Sequence, residues 1–155
     1  MTTAPTPSPV TFRTARLDDL ARVVELIADD AIAARRTGEL GDEHHVAFAA
    51  IDADPNNELV VADVGGEVVG VMQLTFVPGI SRRGATRLLV EAVRVDSRLR
   101  GQGIGRAMMA WAHERGRERG ASLAQLTSDK ARGDAHRFYR SLGYAQSHEG
   151  FKLPL

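Results

Sequence analysis

The stretch Val93-Arg-Val-Asp-Ser-Arg-Leu-Arg-Gly-Gln-Gly-Ile-Gly105 decides how this chain is read. Before it, Thr86 to Val95 is rich in Leu and Val and predicts a strand. After it, Ile104, Met108, Trp111 and Ala112 recur at helical spacing and predict a helix to about Glu118. A glycine-rich turn therefore joins a strand to a helix. Glycines at 101, 103 and 105 let the backbone approach a ligand without Cβ interference. The first amides of a helix lack intrahelical acceptors and carry partial positive charge. Together these features suit a pyrophosphate, and Arg98, Arg100 and Arg106 add formal charge around it. The same glycines also fit a turn chosen only for its sterics.

Two phosphate loops are excluded by letter. The dinucleotide fingerprint needs a third glycine where Arg106 or Met108 stands, and no Gly-Lys-Ser/Thr run exists for a nucleoside triphosphate loop.

Working outward, Gly65-Gly66 separates two β-rich runs, Glu58 to Val64 and Glu67 to Val77, and predicts a hairpin. Val10 to Arg13 predicts a first strand. Asp18 or Asp19 is expected to cap a helix that carries Leu20, Val23, Val24, Ile27, Ala28 and Ala31 on one stripe and ends near Thr37. A second helix is expected over Glu43 to Ala53, with Val46, Ala49, Ala50 and Ala53 inward. Ile80 to Ala85 predicts a loop, Leu123 to Thr127 a strand, Ala131 to Leu142 a helix, and Tyr144 to Leu153 short closing strands. The order predicts an α+β fold with a mixed, mostly antiparallel central sheet flanked by helices on both faces. The strands Thr86–Val95 and Leu123–Thr127 should be parallel, because a helix crosses between them. Residues 1–9 are expected to be a disordered leader and 10–155 a single domain.

Two segments in order resemble the GNAT superfamily of N-acyltransferases. Arg100-Gly101-Gln102-Gly103-Ile104-Gly105 matches its Arg/Gln-x-x-Gly-x-Gly/Ala loop, and Ala135 to Tyr144 is similar to its Ala-x-x-Phe-Tyr-x-x-x-Gly-Phe segment. The resemblance implies acetyl-CoA as co-substrate, with the pyrophosphate held by Arg100, Gly101, Gln102, Gly103, Ile104, Gly105 and Arg106. It implies that Val93 and Val95 offer backbone groups to the pantetheine arm and the acyl carbonyl, and that Phe138 belongs to the cofactor segment. It gives Tyr139 the role of general acid toward the departing thiolate, although Tyr139 also fits a core position on an amphipathic helix. Glu91 is the candidate general base. By two-residue alternation it shares a face with Val93 and Val95, while pairing with Arg87 or Arg94 is an equal alternative. Many relatives have Asn where this chain has Arg132. That contact does not carry over, and Arg132 is a candidate for a cofactor phosphate from its charge alone.

Composition bounds the rest. The 155 residues hold no cysteine, which excludes disulfides, thiolate metal sites and a cysteine nucleophile. The five histidines show no metal-ligand spacing, so no metal is expected. Twenty basic and twenty acidic residues give zero net charge, against a nucleic-acid partner. Residues 1–67 carry 5 Arg and 13 Asp/Glu, whereas residues 68–155 carry 15 Lys/Arg and 7 Asp/Glu. Either the basic half receives an anionic cofactor and the acidic half a cationic substrate, or the two halves pair across the fold. Arg115, Arg117 and Arg119 predict a solvated helix end. No apolar run approaches the roughly 20 residues of a membrane span, and a cytoplasmic protein is expected. The expected acceptor is a primary amine on a small molecule or protein; many members of the resembling family pair as dimers, so a homodimer is admitted by the resemblance, and nothing in the sequence fixes an oligomer. A CoA-binding regulatory module without turnover, or transfer of a different acyl group, are the alternatives.

Overall fold

The computed structural model describes residues 8–155. Residues 1–7 of the expected leader lie outside that range. The described chain forms two compact units, ending and beginning at Gln125 and Leu126, and each is treated by itself.

The first unit is a five-stranded sheet in sequence order: β1 Val10–Thr14, β2 Asn57–Val64, β3 Glu67–Val77, β4 Thr86–Val95 and β5 Ala121–Gln125. The first four are antiparallel neighbours, and β4 and β5 are parallel, as the crossover helix requires. The β2–β3 hairpin turns at Gly65 and Gly66, whose φ values of 63° and 92° suit glycine.

Helices cover both faces. On one, α1 (Leu20–Ile27) packs Val23 and Leu26 against Leu59, Val61, Val68 and Val71. On the other lies α5 (Ile104–Glu118), with Met108, Met109 and Ala112 buried. Helix α5 sits so close to the sheet that two glycines are needed. A Cβ on Gly70 would stand 2.9 Å from the Met108 sulfur, and one on Gly116 2.9 Å from Leu88 Cδ2.

Several expectations are corrected. The early helix is two helices, α1 and α2 (Ala31–Thr37), because Asp30 is extended and its carboxylate accepts from Ala33 N at 2.7 Å. That cap starts a new helix. Asp19 does not cap α1 with its side chain. It accepts instead from Arg13 Nη1 and from Arg16 N, both at 2.7 Å. In α3 (Asp42–Ala53) the inward residues are His44, Phe48 and Ile51, while Val46 is 71% exposed. His44 sets this rotation by accepting from Gly41 N through Nδ1 and bonding Thr37 O through Nε2. The expected loop at Ile80–Ala85 contains a short helical turn, α4 (Ser81–Gly84), with Arg82 and Arg83 left-handed. Arg115 and Arg119 are not a solvated helix end: both clasp Glu58, and Arg119 lies 4.2 Å over the Phe76 ring.

The second unit holds α6 (Gly133–Ser141), which stops before Gly143 at φ 94°. The closing strands expected over Tyr144–Leu153 do not form; that segment has no regular secondary structure. Among the described residues, no helix is long and apolar enough to cross a membrane.

Candidate active site

Strand β4 is interrupted where the chemistry is expected. Glu91 stands opposite Gln73 and Arg94 opposite Val71, so β4 has one more residue than β3 between these pairs. The extra residue makes a β-bulge, and Ala92 adopts φ 52° within it. Paired residues share a face. Glu91 and Arg94 therefore lie on the α1 face with Gln73 and Val71, whereas Val95, opposite Gly70, lies on the α5 face. The expected common face of Glu91 and Val95 is thus corrected, because the bulge breaks the two-residue alternation.

The bulge also fixes the edges of the strand. Asp96 N donates to Val69 O at 2.8 Å, toward β3. Backbone direction alternates along a strand, so the amides of Val95 and Val93 turn the other way. On that side the β4–β5 register ends at Leu89↔Gln125. Among the strands of this unit, none pairs with the outer edge of Val90–Val95. The amides of Val93 and Val95 therefore lie on the β4 edge beyond its pairing with β5, where they can polarise a carbonyl.

The glycine turn follows directly. Gly101 and Gly103 have φ values of 78° and 82°, and a Cβ on either would meet nothing within 4 Å. Gly103 is the N-cap of α5, and no side chain caps the helix start. Its first-turn amides are oriented for an anion. Gly105 differs from expectation: it lies inside the first turn of α5 and is not among the positive-φ glycines. Ile104 is buried and anchors the turn, while Gln102 and Arg106 are exposed.

The arginines near the turn are not equivalent. Arg98 does not serve as loose charge there. Its guanidinium bonds Asp96 at 2.6 Å and Glu67 at 3.0 Å. Asp96 is 5% exposed, caps the short turn Ser97–Leu99 through Arg98 N, and also pairs with Arg22 of α1. These bonds, Arg98's foremost, hold its carboxyl well below the usual carboxylate range. Arg100 reaches Asp29, just beyond α1, at 3.2 Å. Sequence reading missed Asp96 and Arg22, whose signal is a lone acid directly before an arginine-rich turn.

Glu91 is exposed, and among the described residues it forms no ion pair with Arg87 or Arg94. Arg87 bonds Gln125, and Arg94 donates to Val93 O at 2.8 Å. In the second unit, half-buried Tyr139 packs beside Phe138 and edge-on to Tyr144, with ring centres 5.3 and 6.0 Å away. Burial raises the Tyr144 hydroxyl pKa to about 12. Arg132 is the N-cap residue of α6. The acidic and basic halves of the sequence do pair across the fold, through Glu58–Arg115, Glu58–Arg119, Glu67–Arg98 and Asp29–Arg100.

A parallel pair whose ladder ends early, a bulged strand and an uncapped helix behind a glycine turn suit an acyl-thioester donor. The Acetyltransferase (GNAT) family model matches residues 20–144, and the chain belongs to that family. It is 41% identical to the aminoalkylphosphonate N-acetyltransferase of Salmonella typhimurium over 108 residues, 70% of each chain. Among solved structures it is similar to a transcriptional regulator from Bacillus halodurans C-125, with 45% identity and a TM-score of 0.91, covering 95% of this chain and all of that one. A putative acetyltransferase from Agrobacterium tumefaciens matches at 27% identity and a TM-score of 0.83, over 94% and 99% of the two chains. The chain is an N-acetyltransferase of this family.

Proposed function

We propose that this chain moves the acetyl group of acetyl-CoA to a small primary amine by direct attack in a ternary complex. The observation that carries the reading is the edge of β4 beyond its pairing with β5, where the amides of Val93 and Val95 turn away from β3. In this reading the turn from Arg100 to Arg106 holds the pyrophosphate, and the two amides stabilise charge on the thioester oxygen. Glu91 takes a proton from the acceptor ammonium, directly or through water. The amine nitrogen then bonds the carbonyl carbon, the carbon–sulfur bond breaks, and the thiolate leaves while the nitrogen releases its remaining extra proton to water. Family resemblance assigns its proton to Tyr139 and a supporting role to Phe138 and Arg132. The family match runs through both units, which favours one working domain over residues 10–155. A cytoplasmic location fits an acetyl-CoA-dependent reaction. The Salmonella relative favours a short aminoalkyl compound with an anionic group as the acceptor.

A second reading is a CoA-binding regulatory module without turnover, favoured by the name of the Bacillus halodurans structure. One experiment separates them. Thiol release from acetyl-CoA is followed with 2-aminoethylphosphonate, putrescine, glucosamine and a lysine peptide, with CoA binding measured in parallel. Amine-dependent release is the expected result. Binding without release on any amine supports the module, and absence of CoA binding overturns both.

A further inference from the structure

Four polar side chains share the α1 face of the sheet where β2, β3 and β4 run side by side. Asn57 is paired with Thr75, and Gln73 with Glu91. Next along β3 on the same face, Val71 is fully buried. A polar set beside an apolar surface must place its hydrogen bonds with care.

The bonds here run in one direction. Asn57 Nδ2 donates to Asp54 Oδ2 at 2.6 Å. A carboxylate only accepts, which fixes the end of the Asn57 amide that faces Asp54. Bonds from Asn56 N and the Asn57 side chain hold the Asp54 carboxyl below its ordinary range and keep it ionised. Asn57 Oδ1 consequently faces β3, where it accepts from Gln73 Nε2 at 3.1 Å and Thr75 Oγ1 at 2.9 Å. Gln73 must present its nitrogen to Asn57, so its Oε1 is left as an acceptor. Among the described residues no donor bonds that oxygen, and Glu91 has no ion-pair partner. Directly opposed residues of an antiparallel pair hold their Cβ atoms roughly 5 Å apart.

We propose that Gln73 Oε1, oriented by Asn57, and the Glu91 carboxylate together receive the ammonium group of the acceptor. This inference rests on the amine acetylation proposed above. An ammonium has three donors and no acceptor, so two converging oxygens suit it before it loses a proton. Gln73 recognises the substrate, whereas Asn57 is a positioning residue acting through Gln73. The site selects for a protonated primary amine and against hydroxyl acceptors, which bring only one donor.

The test uses whichever amine of the four-compound panel the wild type acetylates fastest. Gln73→Leu and Asn57→Leu should each raise its KM about tenfold or more, the range for hydrogen bonds to a charged group. The KM of acetyl-CoA should stay near wild type, showing an intact fold. In the Asn57→Leu background, Gln73→Glu should restore the amine KM, because both oxygens of a carboxylate accept whichever way it turns. A merely structural role for Asn57 would not be rescued by that charge. An unchanged amine KM in Gln73→Leu, or no rescue in the double variant, overturns the inference. A wild type that acetylates no amine overturns the proposed function instead, and is read before any variant is made.

Discussion

Glu91 and Val95 project to opposite faces of one strand, Glu91 across from Gln73 and Val95 across from Gly70. The left-handed Ala92 between them causes this, since a regular strand would put both on one face.

Replacement at Ala92 tests that kink. Left-handed backbone costs a residue with a Cβ roughly 1–2 kcal/mol, and glycine avoids the cost. Ala92→Gly should keep or raise the melting temperature and preserve CoA binding. Ala92→Val, with a branched Cβ, should lower stability by about 2 kcal/mol or more and weaken CoA binding. Thermal unfolding with and without CoA measures both.

Removing the carboxylate of Glu91 tests the proposed proton abstraction. Glu91→Gln should lower kcat by about a hundredfold or more, as for loss of a general base, while CoA affinity stays near wild type. Equal turnover across pH would remove Glu91 from that role.

The hydroxyl of Tyr139 is the proposed source of the other proton. Tyr139→Phe keeps the ring contacts with Phe138 and Tyr144 and should cut turnover by about tenfold or more, with little loss of stability. Unchanged turnover would make Tyr139 a packing residue.

Asp96 makes a pH-dependent contribution to stability. Its folded-state pKa is depressed, so its stabilisation is fully present above the unfolded value and is lost as pH falls. Asp96→Asn should be destabilised at pH 7, and the gap to wild type should narrow once pH falls below about 4. Urea unfolding at pH 7 and pH 3 reads the difference. An equal gap at both values would show that the ionised carboxylate adds nothing beyond packing.

The clasp on Glu58 is structural and should behave so. Glu58→Ala leaves Arg115 and Arg119 without their shared carboxylate and should cost about 1–2 kcal/mol, between the ranges for exposed and for buried pairs, because the clasp is partly buried. The KM values for both substrates should hold. A large change in either would show that the far end of α5 communicates with its head.

Much of this was legible in the sequence, and the exceptions have physical causes. The Gly65-Gly66 hairpin, the span of β4, the crossover helix and the glycine turn are set by local chemistry, and each forms where its letters place it. The bulge at Ala92 was not legible, because no glycine marks it and the run from Thr86 to Val95 reads as an unbroken strand. The face of α3 was misread because its many alanines give no directional signal, so Phe48 and Ile51 decide the packing. The break before α2 did have a signal, Asp29-Asp30 ahead of an alanine-rich run, which reads as a cap in hindsight. Glu58 could not be matched to Arg115 by any local rule, since 57 residues separate them.

The edge of β4 beyond its pairing with β5 has a consequence for how two substrates would share one strand. On the proposed reading the donor is served by the strand's outer backbone edge, and the acceptor by side chains standing on its face. Neither molecule has to leave for the other to arrive, and a dead-end compound in one place cannot be crowded out by an excess of the other partner. In steady-state kinetics, desulfo-CoA should therefore compete with acetyl-CoA alone and act on the amine only as a noncompetitive or uncompetitive inhibitor.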